Sequence, residues 1–197
     1  MDEFRERFIT DYLNDIIRCL EEIREDNAGF FDELATILLK ARAENRKIFF
    51  CGNGGSASTA SHFTSDLAKG TIVEGTPRFR ALSLADNIPQ ILAWGNDSCY
   101  EDIFVEQLKN LWDPGDVLIG ISGSGNSENV LRAVEYANQN GGTTVGLTGF
   151  DGGKLKDMTR LCLVVPVHYM QKIEDIHMLV DHLVTSLIRE EELAKRK

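Results

Sequence analysis

Two loops rich in serine and glycine, residues 51–56 (CGNGGS) and 121–127 (ISGSGNS), each stand between an apolar run and a helical pattern. The runs that lead into them, Lys47–Cys51 and Asp116–Ile121, are short, apolar and bounded by turn residues, and read as buried parallel strands. A buried strand that ends in a glycine-rich loop and turns into a helix delivers backbone N–H groups to the helix start. Such a place favours an anion. Two of them in one chain look like the two walls of a single phosphate cradle.

From Lys47 onward strand, loop and helix alternate, with further strands expected at 80–84, 143–147 and 161–165. The clusters 113–116 (DPGD) and 140–142 (NGG) supply turn chemistry before two strands, and Gly152 and Gly153 mark another loop. Two helices come first. Phe4, Phe8, Tyr12, Ile16 and Leu20 give residues 2–26 a helical period, and a second helix is expected over 28–45. A last helix over 171–195 has Ile173, Ile176, Val180, Leu183, Val184 and Leu187 on its apolar side. The expected fold is α/β, a three-layer sandwich with a parallel sheet of about five strands and the ligand beyond their carboxyl ends. It forms one domain, with N-terminal helices over 1–46, a core over 47–170 and a C-terminal helix over 171–197.

A chain of 197 residues with 43% hydrophobic content buries one full core. Its formal net charge of −10 argues against a nucleic-acid footprint, which needs a basic face. Residues 2–7 (DEFRER) contain no apolar leader segment, and no stretch reaches the roughly 18 apolar residues that span a bilayer, so a soluble, cytoplasmic protein is expected. Cys19, Cys51, Cys99 and Cys162 are far apart and form no CxxC pair. Buried free thiols are expected at Cys51 and Cys162, within the strand-like runs. The apolar content of the first helix suits a subunit interface as well as core packing.

The helix after the first loop carries His62 and Asp66 at i and i+4, on one face. Alone, that spacing fits a solvated pair as well as a ligand pair. The last helix, however, concentrates Glu174, His177, Asp181 and His182, and so holds two of the chain's four histidines. On a helical wheel Glu174 and His182 lie roughly 80° apart, while His177 points to the other side of Glu174. Whether these side chains meet His62 and Asp66 depends on how the two helices pack, and spacing leaves that open.

With these residues in view, the chain resembles the SIS-type phosphosugar isomerases, and among them the phosphoheptose isomerases that act on sedoheptulose 7-phosphate. The resemblance spans nearly the whole chain. Its carriers are Gly52–Ser56, His62 and Phe63, Gly95–Asp97, Gly115–Ser127, Leu147–Gly149, Asp151–Gly153, and Glu174–His177 with His182. It implies a sugar phosphate held by Ser56, Ser122, Ser124 and Ser127, with Asn53, Gly54, Gly55, Asn96, Asp97, Gly123, Asp66 and Glu174 also touching substrate. It further implies one zinc ion per subunit on His62, Asp66, Glu174 and His182, with Asp66 as base and His182 as its acid/base partner. A homotetramer with active sites completed between subunits follows from the same likeness, and so does a role in heptose synthesis.

The chain departs from the family pattern at several points. Asp66 stands where members carry Glu, Glu174 where they carry Gln, and Gly123 where they tend to have Thr. Gln171 replaces an acidic residue, and Lys69 and Gly70 stand where an arginine is usual. The alternatives to a heptose phosphate isomerase are an isomerase of another phosphosugar and a non-catalytic SIS module that binds a sugar phosphate or the replication initiator. The initiator-binding relatives lack an acid on the first-loop helix, whereas this chain keeps Asp66.

Overall fold

The computed structural model describes residues 2–196. Asp2 opens the first helix, its carboxylate accepting the Phe4 N–H at 3.3 Å and so satisfying one of the unpaired donors of the first turn. Helix α1 runs Glu3–Asp26, α2 Ala28–Ala43, and strand β1 Lys47–Gly52. Helix α3, Gly55–Ser65, continues into a π turn over Asp66–Gly70. Then follow β2 (Arg80–Ser83), α4 (Ile88–Asp97), a 3-10 turn at Tyr100–Asp102, and α5 (Val105–Leu111). The second half runs through β3 (Val117–Ile121), α6 (Glu128–Gln139), β4 (Thr143–Gly149), α7 (Leu155–Met158), β5 (Leu161–Val165) and α8 (Met170–Ala194).

The five strands form one parallel sheet in the order β2-β1-β3-β4-β5. Every expected strand is present. The chain leaves β1 toward β2 on one side and returns past it to β3 on the other, so the strand order reverses between β1 and β3. In open α/β sheets that reversal opens a crevice at the carboxyl ends of the strands. Here Gly52 pairs in register with Ile121, so the two glycine-rich loops start side by side at the same height.

Side chains alternate along the strands and build a core on each face. Ile48 and Phe50 of β1 join Val117, Ile119 and Ile121 of β3 beneath α2, α3 and α8, with Leu34, Leu38, Phe63, Val180 and Val184. Phe49, Cys51 and Leu118 face the other way, against Leu108 of α5, Val130 and Val134 of α6, and Leu155 of α7. Gly120 is what lets α6 come so near the sheet, since a Cβ there would lie 3.0 Å from a Val130 methyl. Fully burying a Phe, Leu or Val contributes on the order of 1.5–3 kcal/mol each, and both faces are filled with them.

One expectation needs correction, and two features go beyond what was expected. Cys51 is fully buried, but Cys162 is only half-buried because β5 is an edge strand. Phe4 and Phe8 of α1 face solvent at 63% and 49% exposure, and only Cys19 and Ile23 of that helix are buried. Helices α4, α5 and α7 lie in stretches with no assigned helical pattern; α4 buries none of its residues and starts on Asn87, whose side chain accepts the Gln90 N–H. No helix among the described residues is long and apolar enough to cross a membrane.

Candidate active site

The close approach of the two loops depends on glycine. A Cβ on Gly52 would stand 2.7 Å from the Ser56 carbonyl and 2.9 Å from that of Ile121, so only glycine lets the first loop lean on the end of β3. Gly125 has φ +65° and sits where a Cβ would overlap the Gly152 carbonyl. Helices α3 and α6 both begin at these loops, bringing two helix N-termini, each with its partial positive charge, to one crevice. Ser127 occupies the N-cap of α6 without capping it; its hydroxyl instead lies 2.9 Å from that of Ser122. Ser56 and Ser122 are buried.

A cavity of about 280 Å³ fills the space between the loops, and Asn53, Gly54, Gly55, Ser56, Ser122, Gly123, Ser124, Ser127 and Glu174 line it together with Ile121 and Met170. The expected phosphate residues therefore surround one space. Asn96 and Asp97 are not among them: they end the exposed helix α4, where the Asn96 amide donates to Asp97 at 2.7 Å. Two residues that the motifs did not single out orient Asn53. Buried Asn129 exchanges amide hydrogen bonds with it at 2.9 Å, and the Tyr100 hydroxyl donates to its Oδ1 at 2.9 Å. A signal for Asn129 existed in sequence, since an amide two residues after Ser127 sits in the first turn of the helix facing the cradle.

The second half of the site lies where α3 packs on α8. His62 Nε2 is 3.1 Å from His182 Nε2 and 3.4 Å from Asp66 Oδ2, at the point where α3 widens into its π turn. Single π turns recur at functional sites because they shift the residues that follow relative to the helix face. Asp181 completes a group of four: ligand atoms of His62, Asp66, Asp181 and His182 all lie within 4.8 Å of one another. Its side chain is fully buried, and burial, followed by the nearby charge of Asp66, pushes its acid up to about 8.

Glu174, expected in that group, is not brought into it. Its carboxylate fills the place where Gly55 has no side chain, at the wall of the cavity between the two loops. The wheel angle between Glu174 and His182 is favourable, but eight residues of helix separate them by roughly 12 Å along the axis. His177, on the core side of α8, donates from Nε2 to the Thr148 carbonyl at 3.1 Å, and burial drops its pKa to about 4. It is a neutral core residue.

Comparison with known proteins identifies the family. The SIS domain family matches residues 11–149. A phosphoheptose isomerase of Akkermansia muciniphila is 39% identical over 164 residues, 83% of this chain and 86% of the relative. Another, from Helicobacter pylori, is 41% identical over 152 residues, 77% of this chain and 79% of the relative. The solved structure of phosphoheptose isomerase from Neisseria gonorrhoeae superposes with a TM-score of 0.86 at 32% identity, covering 95% of this chain and 99% of that one. Sequence and architecture thus agree over nearly the whole length, and the chain belongs to the SIS-domain family, among the phosphoheptose isomerases.

Proposed function

We propose that this protein is an aldose-ketose isomerase that converts sedoheptulose 7-phosphate to D-glycero-D-manno-heptose 7-phosphate, a step toward heptose for surface polysaccharide. One observation carries the reading. Helix α8 sets Glu174 in the wall of the phosphate cavity and, two turns further on, His182 in the histidine and carboxylate group. An extended sugar phosphate anchored at the serines reaches from one to the other. Relatives named for this activity support the choice of substrate.

The phosphate is held by the hydroxyls of Ser56, Ser122, Ser124 and Ser127 and by loop N–H groups, without a lysine in the cavity wall. At the other end the reaction moves one proton between neighbouring carbons and one between their oxygens. Asp66 takes the proton from C1 of the ketose while His182 gives a proton to O2, which yields the enediol. Then His182 recovers the proton of O1, and Asp66 returns its proton to C2. Atoms and charge balance, and both groups end as they began.

A zinc ion suits the same group, because two imidazoles and carboxylates are ordinary zinc donors and the His62–His182 and His62–Asp66 distances of 3.1 and 3.4 Å are close to the spacing of about 3.3 Å between ligands on zinc. His62, Asp66 and His182 would hold it, and the bound ion would polarise the sugar oxygens. We assign the assembly to a homotetramer, in keeping with the family likeness; Phe4, Phe8, Leu13 and Ile17 of α1 and Ile88 and Leu92 of α4 are exposed in the protomer and are the apolar faces that neighbouring subunits would cover. The free thiols suit the cytoplasm.

A panel of five- to seven-carbon phosphosugars, assayed with and without zinc, tests the proposal. Sedoheptulose 7-phosphate should be the best substrate, and Asp66→Asn and His182→Ala should each lower kcat by 10²–10⁴, on the order expected for a lost acid or base. Turnover of no sugar phosphate, or unchanged turnover in both variants, would overturn it.

A further inference from the structure

Asp181 is the one member of the four-residue group that the family likeness does not bring with it. Its side chain is fully buried, and neither carboxylate oxygen has a hydrogen-bond partner among the described residues. Buried polar atoms without partners are rare, and each calls for a reason, because burying a carboxyl group with nothing to bond costs free energy. Asp66 lies beside it, and no lysine or arginine forms an ion pair with either carboxylate among the described residues. Two acids and two imidazoles thus converge on a point that no protein cation neutralises.

Resting on the reading that a divalent cation sits at His62, we propose that Asp181 is its fourth ligand, completing a set with His62, Asp66 and His182 while Glu174 stays with the sugar phosphate. Three observations converge on it. All four ligand atoms lie within 4.8 Å of one another, near enough for small side-chain shifts to close them on a single ion. The two unpartnered oxygens of Asp181 acquire a partner when the ion binds. Glu174, by contrast, is seated against Gly55 and lies seven residues before Asp181, on the same side of α8 but about 10.5 Å back along the axis. To ligate within this protomer it would have to leave the cavity wall. The shorter reach of Asp66, compared with a glutamate there, is made up by a second acid on the facing helix.

Metal binding by the full chain, stripped with EDTA and dialysed, tests this directly. Calorimetric titration with zinc should give one ion per chain for the wild type. Asp181→Asn should weaken binding more than about 100-fold, beyond the 10–100-fold that loss of a ligand's outer partner costs, while Glu174→Gln shifts it less than about threefold. A positive signature comes from Asp181→Cys loaded with cobalt(II): a thiolate-to-cobalt charge-transfer band should appear that wild type and Glu174→Cys lack. Stripped Asp181→Asn should melt no lower than the stripped wild type, because the acid has no partner to lose.

The proposal is overturned if Glu174→Gln loses the ion while Asp181→Asn keeps it, or if the cobalt band appears with Glu174→Cys and not with Asp181→Cys. It is overturned as well if stripped Asp181→Asn melts far below the wild type but binds zinc normally, the mark of a purely structural acid. Wild-type chain that binds no zinc removes both the proposal and the cation itself. Loss of binding in His62→Ala but not in Asp181→Asn removes the proposal alone.

Discussion

His62 Nε2 and His182 Nε2 lie 3.1 Å apart across 120 residues of sequence, the first on α3 and the second on α8. Their rings meet edge to face, with centroids 5.1 Å apart. Neutral imidazole has one protonated and one bare nitrogen, so this contact is either one N–H donated to a bare nitrogen or two bare nitrogens turned to a shared cation. Because α3 begins at the first glycine-rich loop, the same packing joins the two ends of the site.

The two histidines should therefore act as a unit. His62→Ala and His182→Ala are each expected to lower kcat by 10²–10⁴, and the double variant by little more than the worse single one. Steady-state rates for the four proteins of the cycle decide it, and strictly multiplicative losses would show that the residues work independently.

Ser127 spends its hydroxyl on Ser122 and the cavity instead of on its own helix. Ser127→Ala should accordingly cost only about 1 kcal/mol of stability, the lost Ser122 contact, while raising KM roughly 10–100-fold, the cost of one hydrogen bond to a charged phosphate. A fall in kcat at constant KM would place the serine at the reacting carbons instead.

Neighbouring glycines of the second loop should respond differently to alanine. At Gly125 the backbone is left-handed, φ +65°, and the obstacle is the Gly152 backbone, so Gly125→Ala is expected to destabilise by about 2 kcal/mol or more. At Gly123 the obstacle is the flexible end of Met170, which can swing away, and the cost should stay under about 1.5 kcal/mol. Denaturant midpoints compare them; equal losses would mean that Met170 is held fast.

Burial of His177 links stability to pH. Its pKa falls from 6.5 to about 4 on folding, so the unfolded chain takes up a proton below pH 6.5 that the folded chain refuses. The contribution is complete above pH 6.5 and is lost as pH falls toward 4, by roughly 1.4 kcal/mol per unit and roughly 3 kcal/mol in all. His177→Gln, which retains a donor for the Thr148 carbonyl, should show a shallower acid loss in urea titrations; identical slopes would refute the linkage.

The exposed apolar faces of α1 and α4 predict what breaks the assembly. Leu92→Glu or Phe8→Glu should lower the mass measured by light scattering while leaving the circular dichroism unchanged, since both side chains face solvent in the protomer. A mass equal to the wild type's in both variants would move the interface elsewhere.

Strand positions were legible because buried parallel strands are short apolar runs closed by turn residues, and β1, β3 and β5 read that way with little ambiguity. The cradle was legible for a related reason: glycine and serine at a strand end have few other uses when they recur before two helices. Helix α4 was not, since it is short and touches the core only through partly buried Ile91 and Trp94, while Ile88 and Leu92, equally apolar, face solvent and blur the core-facing period.

The ligand set shows the division most clearly. Sequence by itself determined that His62 and Asp66 share one helical face and that Glu174, Asp181 and His182 share another helix, because helical spacing is a local property of the chain. Only the tertiary structure decided which of them meet. A helical wheel gives an angle and no depth, so it cannot tell that Glu174 stands two turns away at the wall of the cavity between the glycine-rich loops. Nor can it tell that Asp181, close in angle to Glu174, is sealed from water against His62 and Asp66. That depends on where α3 and α8 cross, which packing against the sheet sets.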